Sequence, residues 1–343
     1  MRETLLESLR CTGCGQGGLF LEKAKSDGLE VRQGEIVCKR CRASYGIENG
    51  VADFLTSASQ GAMRERHAMD NNEYIVDALG NRYTITDETI EKFREQFLSL
   101  PEGDGSYFFK RGGSFQSIRE ASSRFYSALN YLNLTGEETV LEIGACFSYA
   151  SYQFAQKGCK VVALDISNYI KAAEVYVKKA YFDRVFSDLH TMPFIDNIFD
   201  IVFGSAVLHH SKDLKGAFRE IHRVLKPGGR LLLVNESARG MFERVHPVFK
   251  EMENKGFGDT SYTIFEWKKE ASGGGFRKVK VDLLSLADDY ITRHKNKDSN
   301  NNLKLRLAYY IRNHKRLERF LSALLIGLRL LFRPKSWRLT CYK

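Results

Sequence analysis

The sequence has few prolines and no long apolar run, and each absence excludes a class of protein. Only 5 of its 343 residues are proline, which argues against long disordered or proline-rich linkers. The longest apolar run, at 320–332, is shorter than the roughly 18 residues needed to cross a bilayer, and it contains Arg329. The N-terminus has acidic residues and no apolar core of signal-peptide length. We therefore expect a cytoplasmic protein that contacts a membrane at most at its surface.

Acidic and basic residues balance over most of the chain, and the basic surplus lies at its C-terminal end. The chain has 52 Lys or Arg and 42 Asp or Glu, a formal net charge of +10. Residues 285–343 hold 14 of the bases and 4 of the acids, so this segment alone accounts for the surplus. A basic segment favours an anionic partner, such as a phosphate-bearing substrate, a nucleic acid or an acidic membrane surface. A solvated helix face would explain it equally well.

The seven cysteines are an odd number, but four of them form two Cys-x-x-Cys pairs. Cys11 and Cys14 are separated from Cys38 and Cys41 by 23 residues, within which we predict a hairpin over 19–37. Each pair makes a tight turn whose thiolates converge, so the two pairs predict a tetrahedral four-cysteine Zn²⁺ site. Four thiolates leave no position for water or substrate, so the zinc would be structural. Two alternatives are less consistent with the sequence. Unrelated buried cysteines would not account for two Cys-x-x-Cys pairs in one segment, and a redox-active pair would need a βαβ context that is missing here.

The residues around these cysteines resemble the zinc ribbon of the small tRNA-methyltransferase activator proteins. The likeness rests on Leu-Arg-Cys-x-x-Cys at 9–14 and on Cys-x-x-Cys-x-Ala-Ser-Tyr-Gly-Ile-Glu-Asn-Gly-Val-Ala-Asp-Phe-Leu at 38–55. It implies a zinc-ribbon unit over 1–56 that accompanies a methyltransferase domain, either as a free partner or as an N-terminal extension. A nucleic-acid-binding ribbon is the competing function, although residues 28–34 have no basic and aromatic cluster.

Four apolar runs are spaced like the strands of a parallel sheet. They lie at 140–145, 161–165, 201–205 and 230–234, and amphipathic segments of helix length separate them. This alternation predicts an α/β fold with a doubly wound sheet, whose ligand site is expected at the carboxyl ends of the strands. Two further strands are predicted at 276–283 and 336–342, the second of them antiparallel. A further strand is predicted before Asp188, which makes it the third along the chain and the 201–205 run the fourth, so the predicted core, over 136–284 and completed by the last strand, is a seven-stranded Rossmann-like sheet.

Polar residues follow the predicted strands where an adenosine-type ligand would need them. The first strand runs into the loop Glu-Ile-Gly-Ala-Cys-Phe-Ser at 142–148, and Asp165 ends the second strand 21 residues after Gly144. An acid at that position can accept hydrogen bonds from two ribose hydroxyls. Asp188 ends a later strand, where it can accept an adenine amino group with Leu189 beside the ring.

The order of these motifs resembles the class I S-adenosylmethionine-dependent methyltransferases of the methyltransferase type 11 group. The likeness covers about 136–236 and includes Phe-Asp-Ile-Val-Phe-Gly-Ser-Ala-Val-Leu-His-His at 199–210 and Leu-Lys-Pro-Gly-Gly at 225–229. It implies a seven-stranded methyltransferase sheet and S-adenosyl-L-methionine as the cofactor. The cofactor-binding residues that it implies are Glu142, Gly144, Ala145, Cys146, Ser148, Asp165, Ile166, Asp188, Leu189 and Ser205.

Two histidines follow the fourth strand, close to where the methyl group of such a cofactor would point. His209 or His210 is therefore the candidate base that deprotonates the acceptor as the methyl group leaves the sulfonium. The cofactor already activates that methyl group, so alignment of the acceptor can suffice for catalysis. Structural capping is the alternative role of the pair.

The loop departs from the Glu/Asp-x-Gly-x-Gly-x-Gly pattern of the family. Only Gly144 is retained, and Cys146 and Ser148 occupy the other two glycine positions. Glycine serves there because the methionine end of the cofactor approaches the backbone closely. Since Cys and Ser are small, we expect cofactor binding to persist. A non-catalytic scaffold with a degenerate loop is the alternative.

The segments on either side of the sheet are predicted to shape the acceptor site. Residues 57–135 are expected to form a helical linker or lid with helices at 88–98 and 117–132. Residues 285–343 are expected to hold a basic insertion with an amphipathic helix at 303–332, suited to an anionic or lipid-linked substrate or to a membrane surface. We therefore predict methyl transfer to an oxygen or nitrogen of a small-molecule, sugar or lipid-linked acceptor. An RNA methyltransferase is the rival prediction, because zinc ribbons also precede rRNA-modifying enzymes of this fold.

Overall fold

The structure is a computed structural model that describes most of the chain. The described residues are 1–72, 75–76, 81–100, 116–245, 247–254, 256–283, 291, 302–314, 316–318, 320–321 and 337–343. Most of the second half of the helix predicted at 303–332 therefore lies outside the described residues.

Four strands at the N-terminal end form an antiparallel meander around the cysteine pairs. After a 3-10 helix (Glu3–Ser8), they are β1 (Leu19–Ser26), β2 (Val31–Cys38), β3 (Ser44–Glu48) and β4 (Val51–Asp53). The predicted hairpin is β1 and β2, which pair from Leu19 opposite Cys38 to Ser26 opposite Val31. This pairing places Cys38 at the same end of the hairpin as the start of β1.

The described part of the segment between the meander and the central strands is largely helical. It comprises a 3-10 helix (Leu55–Ser57), α1 (Gln60–Asn72), β5 (Ile75–Val76), β6 (Arg82–Tyr83), α2 (Asp87–Lys92), α3 (Arg94–Leu98) and α4 (Gln116–Leu132). The single helix predicted at 88–98 is two helices, because the backbone leaves helical geometry at Phe93 (φ −105°, ψ 20°). The Phe93 ring is buried there and packs edge-on against Tyr83 at 5.1 Å between centroids.

The remaining elements alternate strands with helices. They are β7 (Thr139–Ile143), α5 (Tyr149–Gln156), β8 (Lys160–Asp165), a 3-10 helix (Asn168–Ala173), α6 (Glu174–Val177), β9 (Asp183–Phe186), β10 (Phe199–Ser205), a 3-10 helix (Leu208–His210), α7 (Leu214–Val224), β11 (Leu225–Val234), β12 (Ala238–Arg239), α8 (Pro247–Asn254), β13 (Tyr262–Thr263), α9 (Ile264–Gly273), β14 (Lys278–Leu283), α10 (Leu303–Asn313) and β15 (Trp337–Tyr342). Helix α10 ends before His314, whose φ of −110° and ψ of 74° are not helical.

The main sheet is larger than predicted. Its strand order is β1-β2-β3-β4-β9-β8-β7-β10-β11-β15-β14, so the meander extends the predicted seven strands to eleven. The meander is joined to the central strands by parallel pairing of β4 with β9, in which Val51 lies opposite Arg184. At the other end, β15 is antiparallel to both β11 and β14, because the chain returns between them as the sequence predicts.

The order of the parallel strands reverses between β7 and β10. The chain passes from β7 outward to β8 and β9, and then returns to the other side of β7 to form β10 and β11. A crevice for a ligand is expected at such a reversal, outside the carboxyl ends of the two strands. The loop at 144–148 follows β7 and the histidine pair follows β10, so both lie at this switch point.

Helices cover both faces of the central strands. Successive side chains of a strand point to opposite faces, and on β8 Val161 and Ala163 belong to one buried cluster while Val162 and Leu164 belong to the other. Side chains of α4 and α5 complete the first cluster, and those of α7 and α9 complete the second. This arrangement is the mixed α/β, doubly wound core expected from the apolar runs.

Candidate functional site

The four paired cysteines converge at the end of the meander. The Sγ atoms of Cys11 and Cys41 are 3.5 Å apart, those of Cys14 and Cys38 are 3.7 Å apart, and all four lie within 4.8 Å of one another. Bonds of about 2.3 Å from a tetrahedral Zn²⁺ place neighbouring sulfurs about 3.8 Å apart. The four thiols are free of disulfides, so both their spacing and their chemistry fit zinc.

Tyr45 supports the first cysteine pair from β3. Its hydroxyl lies 3.1 Å from Cys11 Sγ and accepts a hydrogen bond from the backbone N–H of Gly13 at 3.2 Å. Burial raises the pKa of the Cys11 thiol, but the hydrogen bonds from Tyr45 and from the backbone of Cys14 outweigh burial and lower that pKa to about 6. Cys11 is therefore a thiolate at neutral pH, the form that binds a metal ion.

The loop after β7 has a left-handed backbone at all three positions where the family resemblance expects glycine. The φ angles are +63° at Gly144, +47° at Cys146 and +61° at Ser148. At Gly144 a Cβ atom would lie 2.4 Å from Cγ2 of Val207, so only glycine fits. Cys146 and Ser148 adopt the conformation despite their Cβ atoms, at a cost of about 1–2 kcal/mol each. The loop thus keeps its shape without two of its three glycines.

Ser148 is fully buried inside this loop. Its backbone N–H donates to the carbonyl of Ala145 at 2.6 Å, and its hydroxyl has no hydrogen-bond partner among the described residues. A buried hydroxyl without a partner is unfavourable by about 1–3 kcal/mol. Ser148 therefore combines backbone strain with an unsatisfied polar atom.

Glu142 faces the start of α5. Its Oε2 accepts hydrogen bonds from the backbone N–H of Ser151 at 2.7 Å and from the Ser151 hydroxyl at 2.5 Å. Burial raises the pKa of Glu142 to about 8, although these hydrogen bonds oppose the shift. In this structure Glu142 anchors α5 beneath the loop, and its predicted contact with the cofactor stays a prediction.

Asp165 holds the loop from the end of β8. One carboxylate oxygen accepts from the backbone N–H of Cys146 at 2.6 Å, and the other accepts from the backbone N–H of Ser167 at 2.7 Å. The side chain is buried, which raises its pKa, and the hydrogen bonds from Ser167 and Cys146 oppose that rise. Ala145 adds a backbone hydrogen bond to Leu164 at 3.1 Å.

Asp188, after β9, is already bound by residues of the same chain. Its Oδ2 accepts from the backbone N–H of Ser59 at 3.1 Å and from the Ser59 hydroxyl at 2.7 Å, and its Oδ1 lies 2.8 Å from Nδ1 of His190. Burial raises the pKa of Asp188, but the hydrogen bonds from His190 and Ser59 outweigh it and hold that pKa well below its usual range. Asp188 is therefore an ionised acceptor whose Oδ2 is shared with Ser59.

Three further predicted residues follow the ends of these strands or lie there. Ile166 and Leu189 follow the ends of β8 and β9 as half-buried side chains that pack against the two core clusters. Ser205, at the end of β10, accepts a hydrogen bond from Nδ2 of Asn235 at 2.8 Å, and Oδ1 of Asn235 accepts from Arg124 of α4 at 3.0 Å.

Helix α1 lies across the carboxyl ends of three strands. Ser59, which precedes it, contacts Asp188 after β9. Farther along, Asp70 accepts from Nδ2 of Asn168 after β8 at 3.0 Å, and Glu65 lies 3.0 Å from Nδ1 of His210 after β10. The helix therefore covers the switch point, and its role as a lid stays a prediction.

Carboxylates surround the two histidines. Nδ1 of His209 lies 2.8 Å from Oε2 of Glu236, and Nδ1 of His210 lies 2.8 Å from Oδ1 of Asp259 and 3.0 Å from Oε1 of Glu65. Burial lowers the pKa of His210, but Asp259 and Glu65 outweigh it and raise that pKa to about 10. His210 is therefore protonated at neutral pH, which disfavours it as a general base.

Several residues of this site were not identified from the sequence. They are Ser59, Glu65, His190, Glu236 and Asp259. His190 stands two positions after Asp188, and Glu236 follows the last apolar run, so both had a motif beside them. Ser59, Glu65 and Asp259 lie in segments with no motif, and only the folded chain brings them to the switch point.

Comparisons with known proteins agree with the fold. A family model described as "Methyltransferase domain" matches residues 141–233. Botryococcene C-methyltransferase of Botryococcus braunii is 28% identical over 77% of this chain and 67% of its own length. Glycine/sarcosine/dimethylglycine N-methyltransferase of Actinopolyspora halophila is 22% identical over 70% of this chain, which spans 46% of that relative.

A solved structure shares the same architecture. It is phosphoethanolamine N-methyltransferase 2 of Haemonchus contortus in complex with S-adenosyl-L-methionine, with a TM-score of 0.50 and 20% identity over 83% of this chain and 60% of that one. At this identity the likeness shows the fold alone. The chain thus spans less than two thirds of this enzyme and of the Actinopolyspora relative.

The matched region contains the loop at 144–148, Asp165, Asp188 and the histidine pair. Its mostly parallel α/β sheet is the Rossmann-like sheet that the predicted class requires. The predicted zinc and the likeness of residues 1–56 to the activator proteins stay predictions. Residues 141–233 match the family described as a methyltransferase domain, and the chain shares the fold of a methyltransferase solved with S-adenosyl-L-methionine.

Proposed function

We propose that the protein transfers the methyl group of S-adenosylmethionine to an oxygen or nitrogen atom of a small-molecule acceptor. The observation that carries this proposal is the loop at 144–148, which keeps a left-handed backbone at Cys146 and Ser148. Strained backbone of this kind persists mainly where a function requires it, so the two left-handed residues support a loop that still receives the methionine end of the cofactor. The relatives' names, which include glycine, sarcosine and botryococcene, support an acceptor of small size.

The cofactor would be held at the carboxyl ends of β7, β8 and β9. The loop would face its methionine end, Asp165 its ribose and Asp188 its adenine amino group. When bound, S-adenosylmethionine supplies a methyl group already activated on a sulfonium, so the protein has mainly to align the acceptor. Ser59 occupies Oδ2 of Asp188, and α1 must therefore open, or share that oxygen, as the cofactor enters.

His209 is the better candidate for the base. If its Nδ1 carries the proton and donates to Glu236, Nε2 is left as the proton acceptor. Glu236 is in turn fixed by the backbone N–H groups of Val207 and Leu208, each at 3.0 Å. A histidine oriented by a buried carboxylate is a common arrangement for a general base.

The acceptor proposed here is anionic, sugar-like or lipid-linked. Helix α10 supports this choice, because Leu303, Leu307 and Tyr310 form an exposed apolar stripe on a helix that also carries Lys304 and Arg306. A stripe of this kind suits a lipid chain or an acidic membrane surface. Among the described residues, no helix combines the length and the apolar character needed to cross a membrane.

A structural Zn²⁺ in the meander is part of the proposal. It would be held by Cys11, Cys14, Cys38 and Cys41, whose sulfurs have the spacing described above. Because β4 pairs with β9, the ion would stabilise one edge of the sheet that carries the cofactor site. Zinc analysis of Cys41→Ser against the unaltered protein tests this part, and equal zinc content in the two proteins would reject it.

Calorimetry with S-adenosylmethionine tests the central claim. We expect saturable heat with one site per chain, and loss of that heat in Gly144→Ala, whose Cβ would meet Val207. Gly228→Ala, at a left-handed turn with no atom within 4 Å of its Cβ, is the matched glycine control. Absence of heat at high micromolar cofactor in the unaltered protein would favour a non-catalytic scaffold.

An RNA acceptor is the second candidate, favoured by the net charge of +10. It requires RNA binding that weakens steeply as salt rises from 50 to 200 mM, by about 10³-fold or more if six phosphates are contacted. Binding that is weak at both salt concentrations leaves the small-molecule acceptor as the better proposal.

A further inference from the structure

A second cluster of potential metal ligands lies apart from the four cysteines, beside the histidine pair. One ligand atom from each of His209, His210 and Asp259 falls within 4.8 Å of the others. Oδ1 of Asp259 is 2.8 Å from Nδ1 of His210 and 3.9 Å from Nε2 of His209. Glu65 reaches the same place from α1, with Oε1 3.0 Å from Nδ1 of His210.

We propose that these four residues bind a divalent first-row transition-metal cation. Bonds of about 2.0–2.1 Å in a tetrahedral site place neighbouring ligand atoms about 3.3 Å apart, and the three measured separations lie on both sides of that value. Two imidazoles with carboxylates form a harder donor set than four thiolates, and it suits ions such as Mn²⁺, Fe²⁺ and Co²⁺. The two sites would therefore differ in metal preference.

The orientation of His209 supports the assignment. A metal-bound histidine almost always donates its other ring N–H to a carboxylate or carbonyl. Nδ1 of His209 is 2.8 Å from Glu236, and the Glu236 carboxylate is itself held by two backbone N–H groups. This arrangement turns Nε2 of His209 towards Asp259, which is the direction that a ligand role requires.

The segment that carries Asp259 is fitted closely to the histidines. The backbone N–H of Thr260 donates to the carbonyl of His209 at 2.7 Å. A Cβ atom at Gly258 would lie 2.0 Å from the carbonyl oxygen of His210, so only glycine permits this approach. Asp259, between these two positions, is therefore held against the pair from both sides.

The four side chains are also largely withdrawn from solvent. Their exposed fractions are 14% for His209, 21% for His210, 10% for Asp259 and 14% for Glu65. An ion pair between a protonated His210 and the two carboxylates would hold these three groups together without a metal ion. It would leave Nε2 of His209 3.9 Å from Asp259, which is beyond hydrogen-bond distance. One cation can engage all four groups.

A role for this ion in catalysis rests on the proposed function. Val207, two residues before His209, contacts Gly144 of the cofactor loop, so the ion would lie near the transferred methyl group. A bound cation can hold an acceptor hydroxyl and lower its pKa, and it would replace His209 as the group that favours loss of the proton, because it would occupy Nε2 of His209. Binding of the ion itself does not depend on methyl transfer.

Titration of the zinc-loaded, full-length protein with Mn²⁺ tests the site, with free Mn²⁺ measured by electron paramagnetic resonance. Thiolate sites favour softer ions, so Mn²⁺ reports mainly on the histidine cluster. We expect one Mn²⁺ per chain, at least tenfold weaker binding in His209→Asn and Asp259→Asn, and unchanged binding in the exposed-histidine control His314→Asn.

The unaltered protein decides the proposal even if a variant fails to fold. No bound Mn²⁺ or Co²⁺ at 1 mM ion would overturn it, as would Mn²⁺ affinity in a folded Asp259→Asn equal to that of the unaltered protein. S-adenosylmethionine is absent from these titrations. If the protein binds Mn²⁺ but gives no heat with the cofactor, the metal site stands and the methyltransferase proposal is rejected. If it gives heat with the cofactor but binds no Mn²⁺, the methyltransferase proposal stands and the metal site is rejected.

Discussion

Arg184 on β9 donates a hydrogen bond to Glu30 in the turn between β1 and β2, and both side chains are almost completely buried. Arg184 also contacts Glu174 at 3.0 Å, and Arg32 lies 2.7 Å from Glu30 and 2.9 Å from Glu174. Burial raises the pKa of Glu30, but the charge of Arg184 and its hydrogen bond outweigh it and lower that pKa. These contacts join the meander to the central strands through charge as well as through the pairing of β4 with β9.

Glu30→Gln is expected to destabilise the protein by about 3–5 kcal/mol, because two buried cations, Arg184 and the N-terminal ammonium of Met1, lose the Glu30 carboxylate. The double substitution Glu30→Leu with Arg184→Met should recover only part of that loss, since the buried N-terminal ammonium of Met1, 3.1 Å from Glu30, then lacks its carboxylate partner. Denaturant unfolding measures both. Lys23→Gln, at an exposed ion pair with Glu35, is the control and should change stability far less. Equal losses in Glu30→Gln and the control would show that the buried pair contributes little.

Ser148→Gly is expected to stabilise the protein by about 1–2 kcal/mol. Glycine removes the Cβ strain at φ +61° and deletes a buried hydroxyl that has no partner among the described residues. The flexibility of glycine in the unfolded chain offsets part of the gain. Ser148→Ala separates the two causes, because it removes the hydroxyl and keeps the strain, and should gain less. Thermal unfolding compares the three proteins, and a Gly variant less stable than the Ala variant would contradict the strain argument.

Glu142 makes stability depend on pH in a direction that can be worked out. Its pKa is raised to about 8, chiefly by burial, so the folded protein holds a proton that the unfolded chain releases at about 4.3. The unfolded state therefore binds fewer protons between these values, and the free energy of unfolding falls as pH rises through this window. Glu142→Gln, which can still accept from Ser151, should flatten the decline and gain stability relative to the unaltered protein at pH 8 but not at pH 4. Parallel pH profiles of the two would contradict the assignment.

Local patterns sufficed for the central strands and for the convergence of the four cysteines. The apolar runs at 140–145, 161–165, 201–205 and 230–234 are strands because each buries both faces in a parallel sheet. The spacing of the two Cys-x-x-Cys pairs likewise places the four cysteines together, since two tight turns on one hairpin bring the thiols within reach of one ion.

Contacts between distant segments had no local signal. The strand β4 has only three residues, and nothing in Val51–Asp53 indicates a parallel partner at Asp183–Phe186. The bonds from Ser59 to Asp188 and from Asp259 to His210 span 129 and 49 positions of the chain, and they depend on how α1 and the segment after α8 pack over the switch point. The break at Phe93 has the same origin, because a tertiary contact of its ring overrides a regular helical periodicity.

Ser59 and the cofactor are expected to compete for Asp188. Asp188→Asn should weaken S-adenosylmethionine binding, because the adenine amino group loses a charged acceptor. Ser59→Ala should strengthen it by about fivefold, since one competing hydrogen bond of about 1 kcal/mol is removed while the backbone N–H remains. The same change removes the hydrogen bond from Ala62 to the Ser59 hydroxyl at the start of α1, so we also expect a loss of about 1 kcal/mol in stability.

Calorimetry on both variants, with Ser57→Ala as the neighbouring control, checks this expectation. Ser57 contacts Thr12 rather than Asp188, so its removal should leave cofactor affinity unchanged. If Ser59→Ala instead weakened binding, the Ser59 hydroxyl would act with the cofactor and the closed α1 would be the binding-competent state. An affinity unaffected by Asp188→Asn would mean that the adenine amino group is held elsewhere.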